Sequence, residues 1–322
     1  INWKVKAHSI NPIKELFSLI RLLTIISKEN PDTIANFTIK ACLYGSIAGY
    51  MLNKKKVYNF FTGLGHIHVK KNFINSFFVK STNTIYKIIF SIKNYRCIFQ
   101  NEADKKYFLE RNLIHPKNIK IIKGSGVDTE YFKITKEYES KSLKKSVKIL
   151  FASRLTKEKG VEELIDACTL LEKKNLNFKV YFAGSIDKSN KSCISANYLS
   201  KIKKKPYYTY MGHLDNIKEI LQKTDILVLP SWREGLSRVL LEAGSMGNAL
   251  ITYDVPGCNS IVEDYKSGLL IEPRDIKSLA NGLEILIKDY KLSQNLGKNA
   301  RKKIKKLYEV NIINNQILKT LI

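Results

Sequence analysis

At 322 residues with 44% apolar content, the chain reads as a soluble, globular protein long enough to bury two cores. Its formal charge of +26 points by itself to an anionic partner, either nucleic acid or an anionic membrane face. Only 8 of the 55 basic residues are Arg, and Ile and Asn are also abundant, the bias of AT-rich coding sequence, so much of that charge reads as ordinary solvated surface. The five cysteines, Cys42, Cys97, Cys168, Cys193 and Cys258, are odd in number and far apart with no CxxC pair, which argues against a disulfide framework or a zinc site.

The first element is an amphipathic segment at residues 12–27, with no strand or glycine turn before it, so elements upstream are expected to be missing. Its apolar run, 16–26, is broken by Arg21 and is about half a membrane span. No signal peptide or transmembrane helix is expected, and the cytoplasm is the default location. From Pro31 strands and helices alternate: strand 32–37, helix 39–52, strand 56–61, the turn Gly63-Leu64-Gly65, a long basic-aromatic helical region 73–90, strand 95–99, helix 102–111 and strand 119–122. Segment 133–146 is polar, Lys-rich and aperiodic, and reads as a linker. A second series follows, with strands at 147–152, 179–183, 208–211, 226–229, 249–252 and 269–271 and helices between them that include 161–174 and 217–222.

Short strands separated by helices indicate parallel sheets. The expected organisation is an incomplete N-terminal Rossmann-like domain (1–132), the linker (133–146), a C-terminal Rossmann-like domain (147–305) and a C-terminal helix (306–322) that can cross back to the first domain. Two doubly wound α/β domains of this kind leave a cleft at the carboxyl ends of their sheets, where ligands bind.

The strongest chemical signal lies at residues 230–257. Glu234 and Glu242 stand eight residues apart, with Gly235 between them at the expected start of a helix. At a rise of about 1.5 Å per helical residue the carboxylates lie on the order of 12 Å apart. That span suits a long ligand such as a nucleotide-sugar, with the sugar at one end, the ribose at the other, and the diphosphate near the positive helix N-terminus. Such a pair also arises by chance, but a strand ending in Leu229-Pro230-Ser231 delivers Glu234 to the cleft, and Gly235 permits close approach of a phosphate. After strand 147–152, Arg154 and Lys159 can aim two cations at one point above the sheet, the arginine as a fork and the lysine as a point charge. The competing reading of this segment is a solvated turn.

Taken together, SRLTKEKG, GHLDNIKEILQKTDILVLPS, EGLSRVLLEA, TYDVPGCNSIVED and SGLLIEPRD resemble the retaining glycosyltransferases that share the E-x7-E signature and the GT-B fold of two Rossmann domains. Lys40 and Thr62-Gly63-Leu64-Gly65 extend the resemblance into the first half, toward the subgroup that includes the bacillosaminyl-diphospho-undecaprenol N-acetylgalactosaminyltransferases. The resemblance implies that Arg154 and Lys159 bind the donor diphosphate and Glu242 the ribose hydroxyls. It implies that Glu234 meets the transferred sugar, that amides around Gly235, Leu236 and Ser237 face the phosphate, and that His213 and Leu214 lie near the base. Lys40, Thr62 and Gly63 fall on the acceptor side.

The implied enzyme moves a sugar from a nucleotide-diphosphate donor, a UDP-sugar above all, to a lipid-diphosphate-linked saccharide. It works at the inner face of the bacterial cytoplasmic membrane, in surface polysaccharide assembly. No cofactor or metal is expected, because cations of the protein replace a divalent ion, and no nucleic acid partner is expected. Ser237 departs from a frequent Pro and Asn248 from a frequent basic residue or Pro, while the missing front elements put acceptor binding in question and leave an inactive remnant as the main alternative. An epimerase of similar fold would need carboxylates and a histidine that are not found, and a nucleic-acid-binding protein leaves the Glu pair unexplained.

Two features remain open. His66 and His68 alternate along a possible strand, but two imidazoles without a nearby carboxylate or Cys fall short of a metal site. The region 70–93 sets Phe73, Phe77, Phe78, Tyr86 and Phe90 among Lys70, Lys71, Lys80, Lys87 and Lys93. It reads equally as a surface for anionic membrane or as core-packed helix with a solvated lysine face.

Overall fold

The computed structural model describes residue 3 and residues 11–64, 73–92, 95–134, 146–187, 190 and 192–321. The histidines at 66 and 68 and nearly all of the expected linker lie outside the described residues. The chain divides into two compact units, Ile1–Gly124 with Ile317–Ile322, and Ser125–Gln316.

The first unit opens with α1 (Pro12–Glu29), where Pro12 fills the first turn and the Asn11 side chain accepts from the amides of Ile13 and Lys14. There follow β1 (Thr33–Phe37), α2 (Ile39–Met51), β2 (Lys56–Phe61), α3 (Phe73–Ile92), β3 (Arg96–Phe99), α4 (Glu102–Glu110) and β4 (Ile119–Ile121). All strand pairs are parallel, in the order β1-β2-β3-β4. An aromatic core lies beneath them: Phe61 stacks on Phe99 at 5.0 Å between centroids and meets Phe108 at 4.9 Å, and Tyr86 stacks on Phe90 at 5.3 Å.

That core resolves part of the open reading of the basic-aromatic region. Tyr86, Ile89 and Phe90 of α3 are buried, whereas Phe77, Lys80, Lys87 and Ile88 are exposed. On α1 the four residues Ile13, Leu16, Phe17 and Ile20 are exposed at 67, 57, 67 and 48%, an i, i+3, i+4, i+7 stripe that faces solvent.

The second unit contains β5 (Val147–Ala152), α5 (Val161–Glu172), β6 (Phe178–Ala183), α6 (Ala196–Lys204), β7 (Tyr208–Gly212), α7 (Lys218–Gln222), β8 (Ile226–Leu229), α8 (Arg238–Ser245), β9 (Ala249–Tyr253), β10 (Leu269–Ile271), α9 (Ile276–Lys288) and α10 (Tyr290–Leu307). Its strands are again all parallel, in the order β10-β9-β8-β5-β6-β7. Every residue of β8 and β9 is buried, which is why these strands read as continuous apolar runs. The order reverses between β5 and β8, and an open parallel sheet binds its ligand beyond the carboxyl ends of the strands at such a reversal.

The last helix, α11 (Val310–Leu321), begins in the second unit and ends in the first. Its final carbonyls accept from Tyr58 Oη at 3.2 Å and from Arg96 at 3.3 Å, and Lys120 Nζ donates to Thr320 Oγ1 at 2.7 Å. Among the described residues no helix is long and apolar enough to cross a membrane.

Candidate active site

The loops that leave β5 and β8 carry Arg154 and Lys159, and Glu234, Gly235, Leu236 and Ser237, and they are bolted to one another. The Trp232 amide donates to the Glu158 carbonyl at 2.9 Å, and buried Ser231 Oγ donates to the same carbonyl at 3.2 Å. Gly160 lets the two loops come this close, because it has φ 74° and a Cβ there would lie 1.9 Å from the Pro230 carbonyl oxygen. Lys159 Nζ, one residue earlier, then lies 2.6 Å from Glu234 Oε1, with both side chains largely shielded at 20% and 14% exposure. Arg154 stands exposed on the same loop with its side chain in no hydrogen bond or ion pair with the described residues.

Glu234 sits in a loop and not at a helix start. The sequence places the start near Gly235, but α8 begins at Arg238, three residues later, because Ser237 Oγ accepts from the Leu240 amide at 3.5 Å and caps the helix there. The preceding segment is held by the turn after β9: Glu234 N donates to Pro256 O at 3.2 Å and Ser237 N to Gly257 O at 3.4 Å. A second brace comes from the side. Trp232 Nε1 donates to Glu163 Oε1 at 2.7 Å, and the Arg274 guanidinium lies 4.1 Å from the indole centroid. Burial pushes the Glu163 carboxyl above its ordinary range.

Glu242, one turn before the end of α8, is 7% exposed and borders a cavity of about 460 Å³ with Arg238, Asp215, Asn216, Ile217 and Tyr131. Burial holds its carboxyl above the ordinary range, and Arg238 Nε, 2.8 Å away, offsets only part of that rise. In the turn after β7, Leu214 is half-buried against the core, whereas the His213 ring is exposed, its Nε2 3.6 Å from Asp215. Tyr131, on the far wall, donates to Asn216 Oδ1 at 3.4 Å and lies under the Lys218 ammonium at 4.2 Å. Thus both carboxylates of the Glu pair already hold a cation, and the second opens on a cavity.

These residues sit in a recognised frame. Residues 133–303 match the family described as Glycosyl transferases group 1. The chain is 30% identical, over 97% of its length and 82% of the relative's, to the N,N'-diacetylbacillosaminyl-diphospho-undecaprenol alpha-1,3-N-acetylgalactosaminyltransferase of Campylobacter jejuni. It is 29% identical, over 92% of its length and 76% of the relative's, to the UDP-Gal:alpha-D-GlcNAc-diphosphoundecaprenol alpha-1,3-galactosyltransferase of Escherichia coli. The chain belongs to the group 1 glycosyltransferases.

The glycosyltransferase also shares its fold, at a TM-score of 0.78 and 19% identity over 96% of this chain and 83% of the other, with Anabaena Alr3699/HepE, whose crystal structure is a complex with UDP. Its two parallel-sheet α/β units are those of the GT-B fold that the sequence implies. Family membership does not favour the readings as a nucleic-acid-binding protein or an inactive remnant.

In the first unit of the glycosyltransferase, Lys40 follows β1 while Thr62 and Gly63 follow the adjacent β2, so all three lie beyond the carboxyl edge of one sheet. Lys40 Nζ is held by both carboxylate oxygens of Glu15 at 3.0 Å, and Tyr44 Oη donates to the same carboxylate. Several partners escape sequence reasoning. Arg238 was not singled out, although its i, i+4 spacing from Glu242 is a local signal that could have found it. The Glu163, Trp232 and Arg274 brace spans distant segments, and no local signal marks it.

Proposed function

We propose that this glycosyltransferase is a retaining hexosyl- or N-acetylhexosaminyltransferase that uses a UDP-sugar and a lipid-diphosphate-linked saccharide in bacterial surface polysaccharide assembly. The observation that carries the donor reading is the pairing of Lys159 with Glu234 at the reversal of the second sheet, with Arg154 on the same loop as Lys159 and Glu242 beside its own cavity. In this reading Arg154 and Lys159 take the diphosphate, aided by amides at Gly235, Leu236 and Ser237, Glu234 meets sugar hydroxyls and Glu242 the ribose. Catalysis is then electrostatic: charge grows on the diphosphate as the glycosidic bond lengthens, and fixed cations and amides stabilise it, so that no metal is needed. The anomeric carbon becomes oxocarbenium-like, and the acceptor attacks from the face the leaving group departs. His213 and Leu214 border the base, and Lys40, Thr62 and Gly63 belong to the acceptor side. The lipid-diphosphate acceptor rests on the printed activities of the Campylobacter and Escherichia relatives.

Thermal unfolding with UDP, GDP, ADP and CMP tests the donor reading. UDP alone is expected to raise the midpoint, since a ligand at 100 times its dissociation constant stabilises by about 2.7 kcal/mol. Equal shifts with all four, or none with any, would count against it.

An acceptor of this kind requires contact with the inner face of the membrane. Co-sedimentation with vesicles of phosphatidylglycerol and phosphatidylcholine is expected to weaken as salt is raised, and absent or salt-insensitive sedimentation would count against that contact.

A further inference from the structure

A second cluster of cations lies in the first unit, on the basic-aromatic helix α3 and the end of α4, and on none of the residues assigned to donor or acceptor binding. A cavity of about 380 Å³ is lined by Lys80, Asn83, Thr84 and Lys87 of α3 and by Arg111 just past α4, with two aliphatic side chains. The three cations face it without a carboxylate among the lining residues. The nearest acid in sequence, Glu110, pairs with Lys106 at 3.6 Å. Lys80 and Lys87 are exposed and form no ion pair with the described residues.

The arginine is held in place. Its guanidinium carbon lies 3.9 Å from the Tyr107 ring centroid, and its Nη1 donates to the Tyr107 carbonyl at 3.4 Å. Tyr107 is fixed in turn, because its hydroxyl accepts from Asn83 Nδ2 at 2.8 Å. A guanidinium stacked on a ring loses little freedom when an anion binds, and its remaining N–H groups form a fork that fits phosphate oxygens. The lysines at i and i+7 on α3 add two point charges on the same helical face. Three like charges brought together with no acid among them repel one another, and an anion in the cavity relieves that repulsion.

We propose that this cavity is a seat for a phosphate group, separate from the donor-binding residues, which all lie in the second unit. The phosphate is that of a lipid headgroup or of a soluble phosphate ester, and the chemistry of recognition is the same for both. The inference does not depend on the donor reading.

The test uses the full chain carrying Arg154→Gln, so that anion binding in the second unit is weakened throughout. Calorimetric titration with inorganic pyrophosphate, and sedimentation with phosphatidylcholine vesicles with and without phosphatidylglycerol, are compared for three further variants. Lys87→Gln with Arg111→Gln removes two of the cations. Lys80→Gln with Lys87→Gln leaves the Arg111 stack untouched and guards against a folding defect. Lys55→Gln with Lys117→Gln removes the same charge from exposed positions elsewhere. Both cavity variants are expected to weaken binding about tenfold or more, the loss that goes with a charge-assisted contact, while the third leaves it unchanged. Weakened pyrophosphate binding identifies a soluble ligand; weakened binding only to phosphatidylglycerol vesicles identifies a headgroup. Binding that is equally insensitive to both cavity variants, or equally sensitive to the control, overturns the proposal.

Discussion

Replacing Lys159 by methionine is expected to lower kcat/KM by about 10² to 10³, the loss that follows removal of one donor from a site where negative charge develops. The ammonium is 2.6 Å from Glu234 Oε1, and both groups are mostly withdrawn from water. Such a pair gains strength from its shielding, and the removal of one partner leaves the other poorly solvated. Two roles for Lys159 therefore predict different results. If it is a strut, Lys159→Met and Glu234→Gln each lower the unfolding midpoint and the double variant costs no more than either single, with turnover little changed at a temperature where all are folded. If it meets the diphosphate, the Met variant loses kcat even when fully folded, and the double variant loses more than either single because the two residues contact different parts of the donor. Lys159→Arg restores a cation but not the same point charge, so it should recover part of the donor affinity. Turnover within a few-fold of the parent for the folded Lys159→Met chain would leave the lysine only its structural role.

The parts of this molecule that sequence reveals are those whose physics is local. A fully buried strand such as β8 reads as an uninterrupted apolar run, and the polar turn after it marks where the chain leaves the sheet. The alternation of such runs with helices gives parallel sheets, and with them the edge on which Glu234 and Arg154 had to lie. The start of α8 was harder, since the segment before it is shaped by hydrogen bonds that its amides donate to the carbonyls of Pro256 and Gly257, twenty or more residues on in the chain and set in position only by the pairing of β8 with β9.

Burial of one helix face also could not be told from periodicity alone. The stripe on α1 and the pattern on α3 have the same spacing, yet Tyr86 and Phe90 are in a core while Ile13 and Phe17 are in solvent. Which face is covered depends on what lies opposite, and that is a property of the fold. The ion pairs follow the same division: Arg238 with Glu242 is a helical neighbour pair, whereas Lys159 with Glu234 and Lys40 with Glu15 join segments that only tertiary structure brings together.

Gly160→Ala is expected to cost about 2–5 kcal/mol of stability, from the left-handed backbone and the forced overlap together. The added methyl would meet a backbone carbonyl, Pro230 O, at 1.9 Å, and a carbonyl at the end of a buried strand has no rotamer by which to withdraw. The loops after β5 and β8 must therefore separate, lengthening the hydrogen bonds from Trp232 N and Ser231 Oγ to Glu158 O and drawing Lys159 away from Glu234. Since a domain of this size is stable by only about 5–15 kcal/mol, that loss is readily measured by urea unfolding. Gly212 supplies the control: it has φ 71°, close to the 74° of Gly160, but a Cβ there meets nothing within 4 Å. Gly212→Ala should cost only the backbone term, about 1–2 kcal/mol, so the difference between the two variants isolates the overlap. Donor affinity should fall with Gly160→Ala and not with Gly212→Ala, because only the former moves Lys159. Equal destabilisation by the two would mean that the loops part without cost, and that the close approach at Gly160 does not hold the site together.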